Sequence, residues 1–247
     1  VCEPAGFEEF RIEESDSTPG GVPVMLPDLA PCPECLEEMH NPSSRRYHYP
    51  FTNCTHCGPR YSIIETMPYD RAGTSMKGFR MCPECRREYQ DVEDRRFHAQ
   101  PIGCPSCGPS VKVLFSDGSG LGFGHGFDTP AAQAAWVLAD GLIVALLGVG
   151  GFQLLADASS EAAVRRLRRL KERDAKPFAV MVPDVAAAER LCRLSEEERR
   201  LLASPAAPIV LARGRKDVDL APSVCMFSRF VGIMLPSSPL HALLMDV

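Results

Sequence analysis

The 247-residue chain lacks an apolar run long enough to cross a bilayer. Its longest, residues 142–152 (LIVALLGVGGF), has 11 residues and three glycines, against about 20 for a spanning helix. Residues 1–14 have neither the basic start nor the hydrophobic block of a secretory leader. A cytoplasmic, reducing setting with no membrane partner is therefore expected. A basic excess is missing as well. Net charge is −5: residues 1–31 hold seven acids and one Arg, residues 32–107 balance ten basic against ten acidic residues, and residues 108–247 hold sixteen against fifteen. That distribution argues against a nucleic-acid binder held by charge alone. Gly148-Val149-Gly150-Gly151 follows an apolar run, but no Gly-Lys-Ser/Thr comes after it, so the phosphate-loop signature is lacking too. What remains, 45% apolar and 24% charged residues, is the profile of a globular protein of one to three domains.

What the chain has in excess is cysteine. Eight of its eleven form Cys-x-x-Cys pairs: Cys32/Cys35, Cys54/Cys57, Cys82/Cys85 and Cys104/Cys107. Eighteen residues separate the pairs within each unit, and the second unit repeats the first 50 residues on. The match extends to Glu38 with Glu88, Arg45-Arg46 with Arg95-Arg96, His48 with His98, and Gly58-Pro59 with Gly108-Pro109. This is a duplicated module. In a reducing compartment such pairs read as metal ligands before disulfides, and the spacing suits a structural four-thiolate zinc. Two zinc ions are expected, one on Cys32, Cys35, Cys54 and Cys57 and one on Cys82, Cys85, Cys104 and Cys107. Rubredoxin-like iron and an interleaved ligand pairing are the alternatives. Gly58 and Gly108 are expected at positive φ, turning backbone N–H groups toward sulfur. His48 and His98 are expected to pack rather than ligate. Arg45-Arg46 and Arg95-Arg96 read as a solvated face beside Glu and Asp, with phosphate or RNA as the other possibility.

After a Gly-rich stretch at 116–127 the pattern changes. Asp128-Thr129-Pro130 opens an Ala-rich helix that Gly141 ends. Strands are expected over 142–147, 152–156, 178–182, 208–212 and 231–235, and helices over 184–193 and 195–203. A helix capped by Ser159/Ser160 has Ala163, Val164, Leu167 and Leu170 facing inward, Arg165, Arg166, Arg168 and Arg169 outward, and Pro177 as its stop. A last helix starts at Pro239. Alternating strands and helices indicate an α/β layer domain whose sheet need not be purely parallel. Lys171, Arg173 and Lys176 cluster at a helix-to-strand crossing. Cations there complement the helix dipole, and three in six residues can also hold a polyphosphate. Cys2, Cys192 and Cys225 read as ordinary thiols, and His125 and His241 receive no role.

The run CPEC…RRYHYPFTNCTHCGPRYSII, its repeat CPEC…DRRFHAQPIGCPSCGP, and the later GGFQLLADA, RRLKERDAKPFAVM, SPAAPIVLARG and VGIMLPSSPLHALLM resemble the hydrogenase maturation carbamoyltransferase family, HypF. The resemblance implies an acylphosphatase-like end and linker at 1–27, four-cysteine zinc modules at 28–78 and 79–115, a linker at 116–127, and a YrdC-like α/β domain at 128–247. It implies that the whole enzyme takes carbamoyl phosphate and ATP, with Mg2+, forms carbamoyl adenylate, and carbamoylates the C-terminal Cys of HypE on the way to the cyanide ligand of the nickel–iron centre. The family's Lys-x-Arg-x-x-Lys-Pro motif falls on Lys171, Arg173, Lys176 and Pro177, which implies catalytic and nucleotide-binding roles for the three cations. Gly150, Gly151 and Asp157 lie on the matching turn-strand stretch. Gln153 stands where relatives often have His. The Ser-x-Asn loop and the transfer domain would follow Val247, so this stretch is expected to bind two zincs without completing transfer alone. The rival reading is a zinc-ribbon and YrdC-like module that binds RNA without catalysis; RNA is the less favoured partner on the zero charge of residues 32–107.

Overall fold

The computed structural model describes residues 25–120 and 129–246. The expected acylphosphatase end, Cys2, His125 and most of the Gly-rich linker lie outside them.

In the first half, helices α1 (Pro33–His40) and α2 (Pro83–Gln90) each start just after the first cysteine of a repeat. Proline takes the first helical position, where no N–H is needed, and Glu34 or Glu84 faces the positive helix end. At eight residues each, both helices are too short to leave a clear helical period in the sequence. The repeat persists in backbone detail: His48 and His98 share a φ of 52°.

The second half alternates as expected. Thr129 caps α3 (Pro130–Ala139), accepting from the Ala132 N–H. Strands β1 (Val144–Gly148) and β2 (Gly151–Leu155) form an antiparallel hairpin. Then come α4 (Glu161–Leu170), β3 (Ala179–Met181), α5 (Val185–Leu191), β4 (Cys192–Arg193), α6 (Glu196–Leu202), β5 (Val210–Gly214), α7 (Pro222–Cys225), β6 (Phe230–Met234) and α8 (Pro239–Met245). The four-stranded sheet runs β3-β6-β5-β4, with β3 parallel to β6 and the other neighbours antiparallel. Val164, Val180, Leu202, Val231 and Ile233 form the centre of its apolar core. Cys192 is buried there and Cys225 packs against it, as ordinary thiols.

The two halves touch. Leu36 and Met39 of α1 pack with Ala131 of α3 and with Ala242 and Leu243 of α8. His40 Nε2 lies 2.7 Å from an Asp246 carboxylate oxygen, and the Ala30 N–H donates to the Pro205 carbonyl at 2.8 Å.

Helix α4 departs from expectation in three ways. It ends at Leu170, not at Pro177. Glu172 takes a left-handed φ of 47°; its N–H donates to the Arg169 carbonyl and the Arg173 N–H to the Arg168 carbonyl. This is a Schellman closure built without glycine. Leu170 is 65% exposed, while Arg168 is buried at 8%. The inward face is 163-164-167-168, so the helical period puts a cation where composition suggests a leucine.

Candidate metal centres and a cationic loop

Each set of four sulfurs gathers within 4.8 Å, and both sets are sequential rather than interleaved. In the first, Cys32–Cys54 and Cys54–Cys57 are 3.7 Å apart and Cys35–Cys57 3.5 Å. In the second, Cys82–Cys104 is 3.8 Å, and Cys104–Cys107 and Cys85–Cys107 are 3.6 Å. A tetrahedron with zinc–sulfur bonds of about 2.3 Å has edges of about 3.8 Å, so both cages fit a four-coordinate zinc. All four positions are protein sulfurs, which makes the sites structural. Backbone N–H groups point at sulfur: His56 to Cys54 at 3.3 Å and Cys85 to Cys82 at 3.5 Å. His48 and His98 join neither cage; their rings lie against Tyr47 and Tyr89.

Gly58 has the expected positive φ, at 92°, but Gly108 does not. Gly108 is required for space. A Cβ there would lie 2.1 Å from the Tyr49 hydroxyl, which the first repeat inserts into the second cage's knuckle.

The paired arginines form a solvated face only in part: Arg45 is exposed and Arg95 half-buried, each beside a glutamate as expected, but their neighbours are buried. Arg46 is 1% exposed and Arg96 4%. Each reaches across to the other repeat. Arg46 Nε donates to the Gly103 carbonyl and Arg96 Nε to the Asn53 carbonyl, both at 2.9 Å. Arg46 donates to both Glu88 oxygens, at 3.2 and 2.6 Å, and Arg45 pairs with Glu88 at 2.5 Å. Arg95 and Arg96 both pair with Glu38, which also accepts from Arg46 at 3.2 Å. The guanidiniums extend to sulfur: Arg95 Nη1 lies 3.1 Å from Cys35 Sγ, and both Arg45 Nη atoms lie 3.4 Å from Cys85 Sγ. Burial would raise the Glu88 carboxyl, but Arg46 and Arg45 outweigh it and hold it down at about 2. For Glu38, too, burial is outweighed by Arg96, Arg46 and Arg95, which keep it below the usual carboxylate range.

The second cationic feature is the loop 171–177. Lys171 and Lys176 are exposed, and among the described residues neither side chain makes a hydrogen bond or ion pair. Arg173 is half-buried; its Nε donates to the Lys176 carbonyl at 3.0 Å and its Nη2 to the Pro177 carbonyl at 2.6 Å. The loop is shaped from below by Arg168, which sequence reasoning pointed outward. Its guanidinium donates to the carbonyls of Ser223 (2.6 Å), Val224 (3.2 Å), Arg173 (2.8 Å) and Lys176 (3.3 Å). Five fixed N–H groups let one arginine tie down several carbonyls. The Arg168 and Arg173 guanidinium carbons lie 4.7 and 5.0 Å from the Phe178 ring centre.

Phe178 also lines a cavity of about 420 Å³, with Gln153, Asp157, Val180, Met234 and Leu244. At its edge is a second residue that sequence reasoning passed over. His241, 4% exposed, places Nε2 2.8 Å from Gln153 Oε1 and Nδ1 3.2 and 3.1 Å from the Ser237 and Ser238 hydroxyls. Burial lowers its pKa, so the ring is neutral near pH 7 and uses one nitrogen as donor and the other as acceptor. Asp157 Oδ1 accepts from the Ser159 N–H and hydroxyl at 2.9 and 2.8 Å. Lys171, Arg173 and Lys176 share one loop, where the Arg173 side chain reaches the Lys176 carbonyl, and Gly150 and Gly151 lie at the β1–β2 turn. A Cβ on Gly150 would lie 3.7 Å from Ser62 Oγ of the metal-binding half.

No helix among the described residues is long and apolar enough to cross a membrane. Comparison with known proteins matches residues 32–64 and 81–114 to the HypF finger and residues 136–247 to the Sua5–YciO–YrdC family, described as "Telomere recombination". Carbamoyltransferase HypF of Rhizobium leguminosarum bv. viciae is 49% identical over 243 residues, 98% of this chain and 30% of that protein. A probable carbamoyltransferase HypF of Methanocaldococcus jannaschii is 42% identical over 250 residues, 97% of this chain and 31% of that protein. The crystal structure of full-length HypF in the phosphate- and nucleotide-bound form superposes with a TM-score of 0.87 at 47% identity, covering 99% of this chain and 31% of that one. HypF of T. kodakarensis gives 0.85 at 40%, over 100% of this chain and 30% of that structure. This chain thus spans about three-tenths of the relatives it matches. Two four-cysteine fingers followed in one run by a YrdC-like α/β fold, at this identity throughout, place the chain in the HypF family.

Proposed function

We propose that this chain is the zinc-finger and adenylate-forming portion of a carbamoyltransferase. The observation that carries the reading is the similarity to proteins named carbamoyltransferase HypF along almost the whole chain. In this reading residues 28–78 and 79–115 are structural zinc modules and residues 128–247 belong to the YrdC-like domain, with 116–127 as linker and 1–27 as the end of an acylphosphatase-like domain. Carbamoyl phosphate and ATP, with Mg2+, are the substrates. The carbamoyl group passes to the C-terminal Cys of HypE in the cytoplasm, toward the cyanide ligand of a nickel–iron hydrogenase.

Lys171 and Lys176 supply unpaired cations for the triphosphate. Arg173 adds a third, since its Nη1 makes no hydrogen bond among the described residues. In this reading the acylphosphatase-like domain hydrolyses carbamoyl phosphate to carbamate and phosphate, and carbamate attack on the α-phosphate of ATP then builds charge on phosphoryl oxygens and on departing pyrophosphate. Arg173, tied to the Lys176 and Pro177 carbonyls, is already held in place and offsets that charge without reorganising, and the two lysines add to it. Arg168 fits this as the residue that fixes the loop. Gly150 and Gly151 are assigned to close backbone approach of the nucleotide, and the cavity beside Phe178 and Gln153 to one of its apolar parts. RNA has no place in the reading, because Arg46 and Arg96 are buried against carboxylates.

The test is carbamoyl-dependent ATP–pyrophosphate exchange by the chain within its natural flanking sequence. Lys171→Ala with Arg173→Ala is expected to lower exchange by about 100-fold or more, on the scale of losing a transition-state charge donor. Exchange at the unaltered rate overturns the site assignment. Elemental analysis finding two zincs per chain supports the metal assignment separately.

A further inference from the structure

The crossed arginines bear on how the metal is taken up. A zinc ion with four thiolates carries a net charge of −2. Here that charge is mostly enclosed: Cys35, Cys54 and Cys57 are each 1% exposed, Cys85 0% and Cys104 3%, while Cys32, Cys82 and Cys107 are half-buried. Buried charge must be compensated nearby. The compensating guanidinium at each cage comes from the opposite repeat. Arg95, 60 residues along the chain, reaches Cys35. Arg45 and Arg46 bypass the cage of their own repeat to reach Cys85, the latter at 3.6 Å. The carboxylates that hold these arginines are exchanged too, Arg45 pairing with Glu88 and Arg95 with Glu38.

We infer that Arg45 and Arg95 are trans-acting components of the two metal sites, and that the sites therefore fill as a pair. The first zinc orders one repeat and so presents that repeat's arginines to the empty cage of the other. The second ion then binds a cage already supplied with its counter-charge, and the ordering cost has been met once. Outer groups that hydrogen-bond to metal ligands commonly govern affinity by about 10–100-fold; here that influence crosses the repeat boundary.

The test starts from zinc-free, reduced chain given one equivalent of zinc and followed by native mass spectrometry. Chains with no zinc and chains with two are expected to dominate. Independent filling of equal sites leaves about half the chains with a single zinc, and that distribution overturns the proposal. Two variants locate the effect through thiol alkylation and peptide mapping in the presence of a competing chelator. Arg95→Gln is expected to speed alkylation of Cys32, Cys35, Cys54 and Cys57 by about 10–100-fold, ahead of or together with the cysteines of its own repeat. Arg45→Gln is expected to do the same for Cys82, Cys85, Cys104 and Cys107. Alkylation that begins in the mutated repeat, or proceeds at the original rate, overturns it. The unmodified chain's zinc distribution decides the matter even where a variant folds poorly, and neither readout depends on transferase activity.

Discussion

Between β3 and β6 the α/β half buries Val180, Val231 and Ile233 against one another. At the corresponding depth the finger half buries Arg46, Arg96, Thr52 and five of the eight ligand cysteines. Hydrocarbon burial is non-directional and gains about 25 cal/mol per Å², so the α/β core tolerates small shifts. Buried charge is directional and costly when a partner is lost, so the fingers are held by geometry. A short module with two eight-residue helices has little apolar surface to gather, and metal with paired charge takes its place.

Removing zinc with a chelator should break this comparison most widely. Structural zinc supplies about 10–16 kcal/mol in isolated fingers. Hydrogen exchange is expected to show α1 and α2 losing protection while β5 and β6 retain theirs; equal loss in both halves would mean that the α/β core depends on the cages. Glu38→Gln comes next. It takes the carboxylate from buried Arg96 and from Arg95, and should cost about 3 kcal/mol in finger stability by denaturant titration. Gly108→Ala drives a methyl into the Tyr49 hydroxyl and should cost about 1–3 kcal/mol. Adding Tyr49→Phe should restore much of it, because that hydroxyl is buried with no hydrogen-bond partner.

The smallest effect lies at the contact between halves. Asp246 raises the His40 pKa, against partial desolvation. A raised folded value means the stabilisation is complete below the usual histidine pKa near 6.5 and disappears as pH climbs through the folded value. For so exposed a pair His40→Ala should cost under about 1 kcal/mol at pH 6 and less at pH 9, where the neutral ring keeps its Leu36 carbonyl contact, by thermal unfolding at both.

The same contrast governs what could be read without coordinates. In the α/β half, propensity, caps and burial agree, so Thr129, Ser160 and Pro239 mark helix starts and five strands fall within two residues of expectation; the exception is β4, whose two residues, Cys192 and Arg193, pair with β5 where the sequence predicts a helix running on to 193. Arg168 escaped because a long polar side chain on an amphipathic helix is read as solvated, and its acceptors are carbonyls up to 56 residues away. The cysteine spacing revealed the cages, since local turns set ligand geometry. It could not reveal which repeat's arginines serve which cage. A signal was nevertheless present: Glu38 and Glu88 are duplicated in register with Arg45-Arg46 and Arg95-Arg96, and such matched opposite charges are what two mutually bracing units require. His241 was passed over because its partner Gln153 lies 88 residues away on another element.

The exchange of arginines between repeats has a consequence for ancestry and engineering. A solitary first finger would keep only the Arg46–Glu38 pair, at 3.2 Å, and would lose Glu88 from Arg45 and Arg46 and the Arg95 guanidinium from Cys35; only a second molecule could supply them. The tandem behaves as a homodimer whose protomers have been fused. Tethering replaces a bimolecular association by one whose effective concentration is set by the connecting segment, so the assembly no longer falls apart on dilution. Excising one finger to make a minimal metal-binding tag would restore that dilution sensitivity.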